Sequence, residues 1–478
     1  MIIRQRISLF LAFLLVFSVL LPHAYAVEPM EVAATAALLV DADHNEVLFE
    51  QNAHKKCFPA STTKVMTALL VMEAIEKGQF TPDTIVTVKQ SALEDITADS
   101  STQNIKHGEQ LTVRELLYCL LCASANESAN ILAETVSPTI ADFVALMNTR
   151  AAELGAENTH FMNTHGLHHE NHYSTAYDLY LITQQAMTHP LFREIVSTDQ
   201  HTVPATNLSG ERLIFSTNAL LSGRKFPGYT YPAAIGIKTG STPEAGYCLI
   251  SAAKEKERTF IAVVLGAENP TDPQGNIQRM QFSESSRLLK WGFQNFERKT
   301  ILSPDSMMRE IPVSLAKGVK YIVVKPVANI EATLLKDTDL TDLETKVTFT
   351  SETVEAPIKE GQVLGTVTAS CGGTDYGTVD LVAVNDVPRS SFRFLLSRLG
   401  NLLNSVPARI VLVLLAGILA LALFNRFTIY RRKVKFRKKR SEASLTASPN
   451  QKNNKNNKNS KNNKNKKSKP HAKPPHRR

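Results

Sequence analysis

The sequence predicts an α+β protein: an antiparallel sheet flanked by helices, with a helical subdomain set between its strands, then a small all-β domain and a C-terminal membrane helix. Three observations lead there. Apolar residues recur at helical spacing between about residues 61 and 187. Beyond about 230 the period becomes that of strands, in runs at 233–238, 246–252 and 259–265. Last, an apolar run at 410–424 is followed at once by Arg431, Arg432 and Lys433.

The elements follow in order. Arg4 and Arg6, an apolar run at 7–21 and Ala24-Tyr25-Ala26 are the charged, apolar and small-residue parts of a secretory signal peptide, residues 1–26. An uncleaved anchor would not need the small-residue triplet, so cleavage is expected after Ala26. Residues 37–40 and 47–49, joined by Asp43-His44-Asn45, read as a hairpin that joins the later sheet. Pro59 and Ala60 introduce a helix over about 61–77, with Val65, Leu69, Met72 and Ile75 as its apolar stripe and Gly78 as its stop. Thr112-x-x-Glu115 is a capping box opening a helix that ends near Ser124. Helices are expected at 126–135, 139–154 and 174–187. The strand runs at 246–252 and 259–265 are joined by a turn at 254–257, and a helix bearing Leu288, Leu289, Trp291 and Phe296 closes the domain 27–298.

Residues 301–388 read as strand after strand (321–324, 330–335, 346–350, 363–368 and 378–384), a small all-β domain without a catalytic constellation. At 391–407, Phe392, Leu395, Leu396, Leu399, Leu402, Leu403 and Val406 make one apolar face between polar residues, which predicts a helix lying on the outer membrane surface. A packed core helix is the other reading of that face. The run at 410–424 spans only about 22 Å of a ~30 Å hydrocarbon core. A transmembrane helix over 409–430 gains the length with Phe427, Ile429 and Tyr430, Arg426 snorkelling. Positive residues stay inside, so the globular domain is placed outside the cell membrane and the basic, disordered tail 431–478 in the cytoplasm.

The net charge of +9 conceals two populations. Residues 431–478 hold 19 Lys/Arg and one acid, a net +18, so the rest of the chain carries −9. A globally basic nucleic-acid-binding domain is not encoded, and no nucleic acid is expected as partner. Five cysteines without framework spacing do not make a disulfide scaffold, and Cys119 and Cys122 read as two small buried hydrophobes. His165, His168, His169 and His172 cluster without supporting acids or cysteines, so no metal and no cofactor are expected.

Three motifs carry the chemistry. Ser61 and Lys64 lie three apart at a helix start, on one face. A serine hydroxyl needs a base, and a lysine serves only when burial or the helix N-terminus lowers its pKa. Ser124-Ala125-Asn126, at a break between helices, adds a hydroxyl to relay protons and a carboxamide to hold a peptide group. Lys238-Thr239-Gly240 ends a strand. Lys238 and Thr239 suit a terminal carboxylate, Gly240 lets a substrate backbone approach, and the N–H of Ser241 can complete an oxyanion hole. Singly, each motif reads as a capping serine, a helix end or a solvated lysine. Their order and local contexts make the joint case.

That joint arrangement resembles the penicillin-binding proteins and β-lactamases, and most of all the low-molecular-mass D-alanyl-D-alanine carboxypeptidases of peptidase family S11. Further matching stretches are Pro59 to Thr67, His165-Gly166-Leu167, Tyr173 to Leu179, Thr217-Asn218-Ala219-Leu220-Leu221, Ile235 to Gly240 and Leu288 to Gly292. The resemblance implies a serine β-lactamase/DD-peptidase-like catalytic domain at 27–298 on a β pedestal. It implies a substrate, the peptidoglycan stem peptide ending in D-Ala-D-Ala, and an acyl-enzyme on Ser61 that β-lactam antibiotics would form and not leave. It makes Ser61, Lys64 and Ser124 catalytic, and Asn126, Lys238, Thr239, Gly240 and Ser241 substrate-binding. His165 either shapes the deacylation step or is a loop histidine bonded to backbone. The alternatives are a β-lactamase, with Glu170 in a suggestive loop, a DD-endopeptidase, or a non-catalytic peptidoglycan-binding scaffold, which intact motifs argue against.

Overall fold

The computed structural model describes residues 30–444, apart from 98, 99, 342 and 372. The expected signal peptide and the tail beyond 444 lie outside the described residues. Two compact units are present. One holds the chain up to Val313 together with Lys320–Val354 and Ile358–Asp386; the other holds Ser314–Val319, Glu355–Pro357 and Val387 onward.

The first unit opens with β1 (Ala34–Asp41) and β2 (Glu46–Gln51). The helical region follows: α1 (Lys64–Glu76), the short pair β3 (Ile85–Thr87) and β4 (Gln110–Thr112), then α2 (Val113–Leu121), α3 (Asn126–Val136), α4 (Ile140–Glu153), α5 (Ala176–Met187) and α6 (Pro190–Val196). The short hairpin β5 (Gln200–Val203) and β6 (Arg212–Phe215) leads to β7 (Ala234–Thr242), β8 (Gly246–Glu255) and β9 (Arg258–Ala267), and α7 (Met280–Asn295) closes the domain. The antiparallel sheet runs β2-β1-β9-β8-β7, so the β1–β2 hairpin pairs with one strand, β9, more than 200 residues later.

The alternation of side chains along a strand explains the layering. Leu38 and Val40 of β1 face the core shared with the helical region, while Ala37 and Leu39 face the core shared with α7. The sheet is therefore buried on both faces, with Leu288, Leu289 and Phe293 covering one of them. Helix α1 departs from the expected single stripe: every residue from Lys64 to Met72 is buried, as suits a helix enclosed on all sides.

Beyond α7 the chain is all-β: β10 (Phe296–Leu302), β11 (Arg309–Ser314), β12 (Tyr321–Pro326), β13 (Ile330–Leu335), β14 (Glu344–Phe349), β15 (Val354–Glu355), β16 (Val363–Cys371) and β17 (Thr374–Ala383). β10 pairs with β13, and a six-stranded sheet runs β14-β16-β17-β12-β11-β15. Glu46 accepts the Thr333 N–H at 2.6 Å, and Asp41 accepts its hydroxyl, so the β1–β2 hairpin also ties down β13.

In the second unit, Ser390 donates its N–H to the Leu315 carbonyl and caps α8 (Ser391–Asn404) through its hydroxyl. α9 (Val406–Ser444) follows after one extended residue, Ser405. The amphipathic helix expected to 407 thus ends at Asn404, and the span expected from 409 starts at Val406, with Pro407 in the first turn, where its missing N–H costs nothing. Residues Val406–Lys438 are long and apolar enough to cross a membrane. Residues 431–444, expected as the start of a disordered tail, instead continue α9. Propagating an existing helix is far cheaper than starting one, and Arg, Lys, Glu and Ala extend helices readily.

Candidate active site

The first local surprise concerns the nucleophile. Residues 60–63 form a 3-10 turn, and the α-helix begins only at Lys64. In a 3-10 turn side chains at i and i+3 eclipse one another, so Lys64 stands directly over Ser61. Its Nζ donates to Ser61 Oγ at 2.8 Å. The same ammonium nitrogen donates to Asn126 Oδ1 at 2.7 Å and to the His165 carbonyl at 2.8 Å. Lys64 is wholly buried, and its pKa lies well below the ordinary lysine value. Burial is the main cause and the neighbouring Lys238 charge the next; Glu127 opposes them. Of the two causes expected from sequence, burial or the helix N-terminus, burial leads, and the charge of Lys238 adds a cause that the Ser61–Lys64 spacing alone does not supply.

Ser124 sits in the break between α2 and α3 at φ +63°, a left-handed conformation costly for serine. The break is held by Ala125 N–H on the Cys119 carbonyl, Asn126 N–H on the Ser101 carbonyl and Thr217 N–H on the Cys122 carbonyl. Ser124 Oγ accepts from Lys238 Nζ at 2.9 Å, and Lys238 also donates to the Thr239 carbonyl at 3.0 Å. Lys238 is 1 % exposed, and burial pulls its pKa down to about 7. The hydroxyls of Thr239 and Thr217 bond each other at 2.6 Å, and both residues are half-buried. Thr217 was not singled out from sequence as a site residue, although it opens one of the stretches that carried the resemblance.

β7 is an outer strand of the sheet, and Gly240 on it abuts the nucleophile's turn. A Cβ there would lie 2.9 Å from the Ser61 nitrogen and 3.0 Å from the Pro59 oxygen. Ser241, next along, is exposed. Ala60, immediately before the nucleophile, also has positive φ, +47°. Gly166 presses on it from the 163–167 loop, where a Cβ would meet the Ala60 oxygen at 1.9 Å.

The structure thus gathers Ser61, Lys64 and Asn126 around one ammonium, and Ser124, Lys238 and Thr239 around another, with Gly240 against Ser61. Two details differ from expectation. The Asn126 carboxamide, expected to bond a substrate peptide group, gives its oxygen to Lys64, and the Ser124 hydroxyl, expected to relay a proton between nucleophile, lysine and leaving amine, accepts from Lys238. His165 reaches the site through its carbonyl. Its ring is turned away, with Nε2 3.0 Å from Asp95 and Nδ1 accepting the Leu167 N–H at 3.2 Å. Glu170 is exposed and lines a cleft with Lys56, Tyr173 and Glu244. His172 is a packing histidine: it accepts the Met162 N–H on Nδ1 and meets the Thr63 hydroxyl on Nε2, and burial pulls its pKa down to about 3. Cys119 and Cys122 are free and buried, and burial pushes both thiols up to about 12.

The family model for D-alanyl-D-alanine carboxypeptidase matches residues 23–269, and that for the C-terminal domain of penicillin-binding protein 5 matches 296–389. The chain belongs to the D-alanyl-D-alanine carboxypeptidase family. This carboxypeptidase is 30% identical over 365 residues to the D-alanyl-D-alanine carboxypeptidase DacF of Bacillus subtilis (strain 168), a match spanning 76% of this chain and 88% of the relative. It is 31% identical over 391 residues to the D-alanyl-D-alanine carboxypeptidase DacC of Escherichia coli (strain K12), spanning 80% and 91%. Among solved structures, penicillin binding protein 5 from Haemophilus influenzae covers 76% of this chain and 100% of its own, with a TM-score of 0.61 and 27% identity. The carboxypeptidase is accordingly a serine peptidase of the cell wall, and its sheet, helical subdomain and all-β domain are those of the penicillin-binding protein 5 fold.

Proposed function

We propose that this enzyme removes the terminal D-alanine from peptidoglycan stem peptides through an acyl-enzyme on Ser61. The observation that carries the assignment of the nucleophile is the 2.8 Å bond from a wholly buried Lys64 to Ser61 Oγ. Burial disfavours the charged lysine; in the neutral form its two N–H bonds stay with Asn126 and the His165 carbonyl, and its lone pair accepts from the Ser61 hydroxyl. Ser61 Oγ attacks the penultimate D-Ala carbonyl, and its proton passes to Lys64 Nζ. The backbone N–H groups of Ser61 and Ser241 receive the oxyanion. The C–N bond to the last D-Ala breaks, and the leaving amine takes a proton through Ser124. Water then hydrolyses the ester, returning the proton to Ser61. In a β-lactam the leaving amine stays tethered to the acyl group, so acylation ends in a retained covalent adduct.

The substrate binds along the free edge of β7, in the manner of an added strand. Gly240, having no side chain, lets β7 lie directly against the Ser61 turn, which brings that edge beside the nucleophile. The hydroxyls of Thr239 and Thr217, with Lys238 behind them, receive the terminal carboxylate, and Asn126 offers its remaining amide donors to the peptide. The domain acts outside the membrane, held by the apolar part of α9, with the basic residues from Arg431 onward on the cytoplasmic side and no nucleic acid as partner. Supporting this, the apolar residues of α8 are exposed along its length, and Val406–Lys438 are long and apolar enough to span. The deciding experiment incubates the full-length protein with a D-Ala-D-Ala pentapeptide and measures free D-alanine, with Ser61→Ala as the control. Release by wild type alone supports the reading; release that survives in Ser61→Ala refutes the nucleophile.

A further inference from the structure

The Lys64 nitrogen depends on a carbonyl, that of His165, belonging to a loop more than 100 residues away. What keeps that carbonyl pointed at Lys64 is visible on both sides of it. On one side, the Thr164 carbonyl accepts from Thr67 of α1 at 2.6 Å, and the Thr164 hydroxyl donates to Asn130 Oδ1 of α3 at 2.6 Å. On the other side is the His165 ring. Nδ1 accepts the Leu167 N–H, so it carries no proton, and the proton of the neutral ring must sit on Nε2, facing Asp95 Oδ2 at 3.0 Å. The second carboxylate oxygen of Asp95 accepts from Asn130 Nδ2 at 2.6 Å. Asn130 therefore joins the two sides: it accepts from Thr164 and donates to Asp95. Asp95 lies in the segment after the turn Gln90–Leu93, outside all three motifs, and its side chain is 49% exposed while that of His165 is 2% exposed.

We propose that Asp95 is a positioning residue for acyl transfer: it locks His165 in the Nε2–H form and thereby holds the His165 carbonyl against Lys64, directing Lys64 at Ser61. The inference rests on Lys64 being the base for Ser61, as proposed above. Without the carboxylate, the Nε2 proton loses its acceptor. The ring is then free to turn or to change tautomer, which sets an N–H against the Leu167 N–H. Either change loosens the loop that supplies one of three bonds to the lysine. Because Asp95 acts through its bonds to His165 and Asn130, the effect belongs in the chemical step rather than in binding. Hydrogen bonds to charged groups are worth about 1.5–3 kcal/mol, so the acylation rate constant should fall roughly 10- to 100-fold.

The test uses the full-length protein in detergent, as wild type, Asp95→Ala, Asp95→Asn and Ser61→Ala. Stopped-flow acylation by a fluorescent penicillin separates the dissociation constant of the first complex from the acylation rate constant. The 15N chemical shifts of histidine-labelled protein report which ring nitrogen of His165 carries the proton. The expected result for Asp95→Ala is an unchanged dissociation constant, a slower acylation step and loss of the pure Nε2–H signature, with Asp95→Asn intermediate. Acylation by Asp95→Ala at the wild-type rate overturns the proposal. So does a slower step with the Nε2–H signature intact, because the tautomer is then not the link. If Ser61→Ala still takes the label, the assignment of the nucleophile has failed instead; if it takes none while Asp95→Ala acylates normally, only the present inference has.

Discussion

At the scale of single residues, two buried lysines share one site and are asked for opposite states. Lys64 works as a base only when neutral; Lys238 attracts a carboxylate only when charged. Both pKa values are pulled down by burial, that of Lys238 to about 7. Acylation should rise with pH as Lys64 loses its proton. Capture of a free carboxylate should weaken as pH rises through about 7, where Lys238 loses its own. For a D-Ala-D-Ala peptide acid, kcat/KM should therefore be bell-shaped, whereas the C-terminal amide should lack the alkaline fall and be the poorer substrate at pH 6. A common alkaline limb for acid and amide would remove Lys238 from carboxylate recognition. Lys64→Ala should lose acylation nearly as completely as Ser61→Ala, since interdependent catalytic groups fail together; penicillin labelling of the purified variants checks this. Gly240→Ala places a methyl 2.9 Å from the Ser61 nitrogen. Small displacements at a reacting centre cost on the order of 100-fold, and kcat/KM should fall by about that much, with a lower melting temperature because the atoms that must move are backbone.

At the scale of elements, the starts of α2, α4 and α5 were legible because caps are local. Thr112, Thr139 and Thr175 each accept the N–H three residues on, as Thr112-x-x-Glu115 announces. The Glu115 side chain departs from the capping box: it bonds His201 at 2.7 Å, tying α2 to the β5–β6 hairpin. Thr112→Ala should cost about 1 kcal/mol, seen as a melting point a few degrees lower. An unchanged melting temperature would show that β4 and not the cap holds the start of α2. The 3-10 turn over 60–63 was not legible. Its hydrogen-bond pattern is chosen by what packs on it, including Gly240 and Gly166, both distant in sequence.

At the scale of the whole molecule, chemistry and attachment occupy different stretches of chain. A variant ending at Ser390 should label with penicillin at the wild-type rate and leave the membrane fraction for the soluble one. Retention on carbonate-washed membranes would locate an anchor outside α8 and α9. The apolar face of α8 was legible from spacing alone. The helical state of 431–444 was not, because composition marks where a tail cannot pack and does not mark how far a helix already formed will propagate.

The sequence by itself determined the reactive groups and their class. Ser61, Lys64, Ser124, Asn126, Lys238 and Thr239 carry functional groups that are a property of residue type, and the spacing of Ser61 to Lys64 is short enough for local backbone geometry to bring them together. Only the tertiary structure decided their states and partners. Burial of Lys64 and Lys238 is a sum over cores built from strands and helices scattered along the chain, so no local window contains it. The Asn126 oxygen turns to Lys64, Ser124 turns to Lys238, Thr217 meets Thr239, and Asp95 meets His165. Each of these pairs is separated by 22 to 114 residues. A hydrogen bond across such a gap is a consequence of the fold, because chain connectivity says nothing about which of many polar side chains will be adjacent once the apolar ones are buried.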